Sequence, residues 1–157
     1  MMGRKTKLII LICGDRNWDN YPYIKHFVST LPEGSILVEG EARGADLMSA
    51  KAFEEIGWSD RIKRYPADWE TYKKAAGPIR NSQMLKEGKP DIVVAFHEDI
   101  DSSKGTKHMV TIAQKAEVPV IINPKAWQDD YLEESYVRYE IGESIDDWIK
   151  RMLENEV

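Results

Sequence analysis

A chain of 157 residues, 42% hydrophobic and 31% charged, has the apolar material for one ordinary domain and is neither collagen-like nor disordered in composition. Its net charge of −5 argues against a protein that wraps nucleic acid, although a local basic patch stays open. Cys13 is the sole cysteine, which excludes an intrachain disulfide and a thiolate metal cluster.

The first apolar run, Leu8–Cys13, is stopped by Gly14-Asp15-Arg16. It is too short for a membrane span and lacks a plausible signal-peptide cleavage site, so it reads as a buried strand in a cytoplasmic protein. The spacing of Ile24, Phe27, Val28 and Leu31 predicts a helix over Tyr21–Leu31. A second strand is expected at Ser35–Val38, and a second helix at Ala45–Ile56 with Leu47, Ala50, Phe53 and Ile56 on its apolar stripe. Arg61–Tyr65 is a short third strand closed by Pro66, and Lys73–Leu85 is helical, with Pro78 marking a break or a first turn. Ile92–Phe96, Gly105–Ala116 and Val118–Ile122 complete the pattern as strand, helix and strand. In the tail, Trp127–Gly142 shows no clear pattern, and Ser144–Leu153 reads as a last helix capped by Ser144, with Asp146 and Asp147 at its positive end. The strands are continuous rather than alternating in hydrophobicity, which implies burial on both faces. The expectation is an α/β chain: a Rossmann-like, doubly wound, mainly parallel five-stranded sheet flanked by helices. Residues 1–157 would form one domain with a C-terminal extension at 125–157.

Ligands in such a sheet collect at the carboxyl ends of the strands. Gly14, Asp15 and Arg16 follow the first strand, with Trp18 close behind; Gly40-Glu41-Ala42-Arg43-Gly44-Ala45-Asp46 follows the second. Trp69 follows the third, and Ser103-Lys104-Gly105-Thr106 opens the helix after the fourth. Two glycine turns feeding helix N-termini, each with a basic residue (Arg43, Lys104), suit a phosphate group. Neither is a Walker loop or a G-x-G-x-x-G fingerprint, which argues against ordinary NTPase and dehydrogenase chemistry.

The runs "CGDRNW", "VEGEARGADLMSAKAFEEIGW", "YPADWETYKKAAGPIRNSQML", "PDIVVAFHEDIDSSKGTKHMV" and "AEVPVIIN" resemble the small single-domain, YspA/YpsA-related branch of the SLOG superfamily. That superfamily groups the DNA-processing protein Smf/DprA with the lonely-guy (LOG) phosphoribohydrolases. The resemblance covers Leu8 to about Pro124 and implies a Rossmann-like fold that binds nucleotides or nucleotide-derived molecules. It places Gly40–Gly44 at the first glycine-rich motif of the LOG enzymes and Ser103–Thr106 at their phosphate-gripping second motif. Arg80 resembles the arginine of their Arg-Lys pair, with Asn81 in place of the lysine. Lys107 and His108 stand in the stretch where those enzymes carry a glutamate for glycosidic-bond chemistry. Glu39 and Glu41 occupy positions where the branch favours His and a small residue or Asp.

The ligand contacts expected are therefore Gly14, Arg16, Gly40, Arg43, Gly44, Ala45, Asp46, Arg80, Asn81, Ser103, Lys104, Gly105 and Thr106, with Trp18 and Trp69 as base-stacking candidates. Glu41, Asp46 and Asp15 are the carboxylates available for catalysis. His108 reads as a surface helix residue, and His97-Glu98-Asp99 with Asp101 as a solvated loop, so neither metal nor cofactor is expected. The leading reading is a sensor or sequestering domain for a phosphorylated nucleotide or nucleotide-derived ligand. The alternative is a nucleoside-monophosphate N-glycosidase, and a DNA-processing module stands third. No membrane partner is expected, nucleic acid is disfavoured by the acidity, and a homo-oligomer is left open.

Overall fold

The computed structural model describes residues 7–133. Five strands, β1 (Ile9–Gly14), β2 (Ile36–Glu39), β3 (Ile62–Arg64), β4 (Ile92–Phe96) and β5 (Val120–Ile122), form one sheet in the order β3-β2-β1-β4-β5. Every pair is parallel. The helices are α1 (Tyr21–Ser29), α2 (Ala45–Glu55), a single turn α3 (Trp69–Tyr72), α4 (Ala76–Gly88) and α5 (Gly105–Lys115). The doubly wound α/β architecture expected from the continuous apolar strands is present. The expected helix Ser144–Leu153 and most of the 125–157 extension lie outside the described residues.

Side chains alternate along each strand, so one strand feeds two cores. Ile10, Ile12, Leu37, Val94 and Phe96 face α1 and α2, packing with Ile24, Phe27 and Phe53. Leu11, Cys13, Val38, Val93 and Ala95 face the opposite side, packing with Met84 of α4 and Met109, Val110 and Ala113 of α5. Pro78 falls in the first turn of α4, where its missing N–H removes no helical bond. The buried face of α2 differs from the expected stripe. Ala45, Asp46, Ser49, Ala50, Ala52 and Phe53 point inward, while Leu47 is 43% exposed. The rotation follows from small residues, which let α2 approach the sheet closely. The start of the extension also packs: the Trp127 N–H donates to Thr30 Oγ1 at 2.8 Å, and Tyr131 is buried.

The chain turns one way from β1 to β2 and β3 and the other way from β4 to β5, so the order reverses between β1 and β4. Gly14 and Phe96, paired in register, end these two strands. The Asp15 N–H donates to the Phe96 carbonyl at 2.9 Å, and the Asp15 carbonyl accepts from Ala45 N–H at 3.1 Å. Gly44 enters α2 at φ 81° and ψ −127°, a region open to glycine, and a Cβ there would lie 2.2 Å from the Asp15 carbonyl oxygen. At Gly105, by contrast, a Cβ would meet nothing within 4 Å. Gly44→Ala is therefore expected to cost at least about 2 kcal/mol of stability in urea unfolding, whereas Gly105→Ala should stay within about 0.5 kcal/mol of the parent chain. Equal losses at the two positions would contradict this account.

Candidate functional site

Above the β1/β4 reversal lies a cleft of about 680 Å³. Its walls are the end of β1 and the turn after it (Gly14, Asp15, Arg16), the turn into α2 and its first residues (Ala42, Asp46), α3, the turn after it and α4 (Trp69, Lys74, Arg80, Asn81), and the turn before α5 with its start (Ser103 to Thr106, His108). Cys13, Met84 and Met109 line its apolar part. Burial pushes the Cys13 thiol well above its ordinary value, so it serves as packing rather than as a nucleophile. Arg16, Lys74, Arg80 and Lys104 bring cations to the cleft, against the carboxylates of Asp15 and Asp46. An acidic chain thus presents a locally basic recess.

The two glycine turns, alike in sequence, are used differently. In the turn after β2, the Ala42 N–H reaches Asp46 Oδ2 at 3.3 Å, and the Gly40 N–H also bonds the Asp46 carboxylate. The Glu41 N–H donates to Glu39 Oε1 at 2.6 Å, and the Ala45 N–H is taken by Asp15. The Gly40 carbonyl accepts from Arg80 Nη1, which lies where a Cβ at residue 40 would be. The Gly40, Glu41 and Ala42 donors of this turn thus go to its own carboxylates. Gly40, Glu41, Arg43, Gly44 and Ala45 do not line the cleft, and the Glu41 carboxylate pairs with Arg64 at 3.3 Å. Of the two turns expected to grip phosphate, the one before α5 is the one whose glycine lines the cleft. There Ser103 Oγ accepts from Thr106 N–H at 3.0 Å, while Lys104 and Gly105 stand exposed to the cleft.

Asp46 is the carboxylate that reaches the cleft from α2, yet it is only 5% exposed. Burial raises its pKa to about 6, opposed by the Arg80 guanidinium and by the Ala42 and Gly40 N–H groups. Asp15 also lines the cleft, but its Oδ1 closes a local turn by accepting from Asn17 N–H at 2.9 Å. Of the two tryptophans, Trp69 is at the mouth, 48% exposed, with the Arg16 guanidinium 5.7 Å over its ring. Trp18 is not in the cleft. Its indole packs on Phe96 and Tyr23, with ring centroids 5.7 and 5.8 Å away, which makes it a lid on the core. Asn81 is buried, bonded to Arg80 Nε, to the Gly105 carbonyl and to His108.

Sequence reasoning missed Lys74, His97 and His108 as cleft residues. His108 was recoverable, because it is three positions after Gly105 and shares its helix face. Lys74 and His97 carry no comparable signal.

Glu39, at the end of β2, is fully buried. Its Oε2 lies 3.5 Å from Arg64 Nη1, at ion-pair distance but without a hydrogen bond. Burial, with the acidic Glu41 and Asp46 side chains nearby, raises its pKa to about 9. The folded chain then holds a proton that the unfolded chain releases near 4.5. Stability contributed here is lost as pH rises between those values, by up to about 1.4 kcal/mol per pH unit. Glu39→Gln, which keeps the shape and needs no proton, should gain stability over the parent between pH 5 and pH 8, read as a widening difference in Tm. A constant difference would mean that Glu39 ionises normally beside Arg64.

No family model matches the chain. The gene 61 protein of Mycobacterium phage D29 is 34% identical over 119 residues, covering 71% of this chain and 93% of that protein. The chain belongs to the family of that phage protein. Among solved structures, DNA processing protein A (DprA) from Streptococcus pneumoniae aligns with a TM-score of 0.59 at 13% identity, over 94% of this chain and 56% of DprA. This chain thus shares the DprA fold and spans about half the length of DprA. No helix among the described residues is long and apolar enough to cross a membrane.

Proposed function

We propose that the cleft binds a phosphorylated nucleotide or nucleotide-derived molecule, with its phosphate at the Ser103–Thr106 turn, and that the protein senses or sequesters this ligand. The observation that carries the reading is the open backbone at Gly105, the first residue of α5, in a cleft bearing Arg16, Lys74, Arg80 and Lys104. Backbone N–H groups at a helix start, with a cation on either side, suit a phosphate dianion. Trp69 offers the exposed ring on which a base could stack. The motif resemblance to the YspA/YpsA-related branch of the SLOG superfamily supports the same ligand class.

Asp46 keeps a second reading open, that of an N-glycosidase. A carboxylate with a pKa of about 6, buried in the cleft beside Arg80, is suited to activate water or to face an oxocarbenium-like centre. Glu41, turned toward Arg64, is poorly placed for this, and Asp15 is partly spent on its own turn. DNA handling, the role in the name of the fold neighbour, would need a basic surface wider than this recess.

Calorimetry with nucleoside monophosphates, the matching nucleosides and single-stranded DNA separates these readings. Gly105→Val should fold and lose nucleotide binding, because its side chain enters open cleft rather than the core. Arg80→Ala should weaken nucleotide binding by roughly 30-fold, about 2 kcal/mol, and nucleoside binding much less. Equal losses would assign Arg80 to holding Gly40 and Asn81 in place. Unchanged affinity in folded Gly105→Val would remove the turn from the site, and preferential binding of DNA would replace the nucleotide reading.

Chromatography of the same mixtures tests turnover. The sensor reading expects no free base. If base appears, its rate should rise through about pH 6 as Asp46 ionises, and Asp46→Asn should lower it by about 100-fold or more while ligand still binds.

A further inference from the structure

Asn81 is buried where α4 meets the start of α5, and its neighbours leave one orientation for its amide. Arg80 Nε, which can only donate, lies 3.0 Å from Asn81 Oδ1. The Gly105 carbonyl, which can only accept, lies 3.3 Å from Nδ2. The amide atom facing His108 Nδ1 at 3.1 Å is therefore the donor Nδ2, so Nδ1 must accept. An imidazole that accepts at Nδ1 carries its proton on Nε2 and is neutral.

The surroundings act in the same direction. Burial and the charge of Lys115 hold the His108 pKa below its ordinary value. On α5, Lys107 is paired with Asp101 at 3.9 Å. The remaining charged and titratable groups of the cleft are Arg80 and Lys74 from α4 and the turn before it, Lys104 before α5, Cys13 on β1, Arg16 and Asp15 after β1, Asp46 on α2 and His97 after β4. His108 lines the cleft three residues after Gly105, so ring and helix start share a face.

We propose that Asn81 is a positioning residue that fixes His108 as a neutral Nε2–H donor, and that this donor hydrogen-bonds a phosphate oxygen held beside Gly105. The contact rests on the nucleotide reading above; the tautomer does not. A neutral donor keeps its bond as pH rises through the ordinary histidine range, whereas a cationic one would lose its charge there. It also gives Asn81 a function that a lysine at this position could not perform, since a lysine cannot accept from Arg80 Nε.

Long-range proton–nitrogen spectra of the ¹⁵N-labelled full chain read the tautomer directly, with His108→Gln assigning the signal. The expected result between pH 6 and 8 is an unprotonated Nδ1 and a protonated Nε2. Asn81→Asp, which replaces the donor with an acceptor, should move the proton to Nδ1 and raise the His108 midpoint. Titration with adenosine 5′-monophosphate should shift both the Gly105 amide and His108 Nε2, with affinity flat from pH 7 to 8.5. His108→Phe should weaken binding about 5-fold, the size of one neutral hydrogen bond, and His108→Gln should recover most of it. A protonated Nδ1 in the parent chain overturns the tautomer and leaves the nucleotide reading standing. A shift at Gly105 with none at His108 overturns the contact alone, and silence at both overturns the contact and the nucleotide reading together.

Discussion

At the carboxyl end of β1, three backbone segments converge to hydrogen-bond distance: the Asp15 peptide, the end of β4 at Phe96, and the entrance to α2 at Ala45. Side chains would keep them apart. A Cβ on Gly14 would lie 2.2 Å from the Phe96 carbonyl oxygen, and one on Gly44 equally close to that of Asp15. This approach sets the height of α2 against the sheet and so the position of Asp46. It also leaves the recess between the β1 and β4 ends that becomes the cleft. The small inward face of α2, with Ala45, Ser49, Ala50 and Ala52, is the helical counterpart of the same constraint.

A cost follows from seating Asp46 there. A buried carboxylate needs donors, and the turn after β2 supplies them by wrapping the Gly40 and Ala42 N–H groups around it. The same turn uses the Glu41 N–H for Glu39, with Glu41 held at φ 60°. A loop that looks like a phosphate cradle is thereby closed by its own acids. The turn before α5 has no internal acid in that role, and its one side-chain cap, Ser103, takes the Thr106 N–H and leaves Gly105 facing the cleft.

Arg80 and Asn81 connect these two turns. Arg80 reaches back to the Gly40 carbonyl and Asn81 forward to the Gly105 carbonyl, with a hydrogen bond between their side chains. The pair spans the cleft wall contributed by α4, so the spacing of the two turns depends on polar contacts as well as core packing. Kinship with a phage protein and the DprA fold do not choose among ligands, because one fold hosts many sites. The choice rests on which donors and cations remain free.

The sequence by itself determined the parallel sheet, since continuous apolar runs such as Ile92–Phe96 are stable only when both faces are covered. It also marked Pro78 as either a break or a first turn, of which α4 shows the second, and put glycine turns after the strands, because proline and glycine act through local backbone geometry. Strand limits moved by one or two residues, as at β5, which begins at Val120 rather than Val118. That limit depends on partner register, which β4 supplies. Tertiary structure alone decided that Leu47 points outward, that Trp18 belongs to the core, and that Glu41 faces Arg64. It alone showed that the glycine of one turn lines the cleft while those of the other turn do not. The physical reason is the same in each case. A sequence names donors, acceptors and apolar groups, but which of them meet is settled by contacts such as Asp15 with Ala45 and Asn81 with His108, between residues distant in the chain.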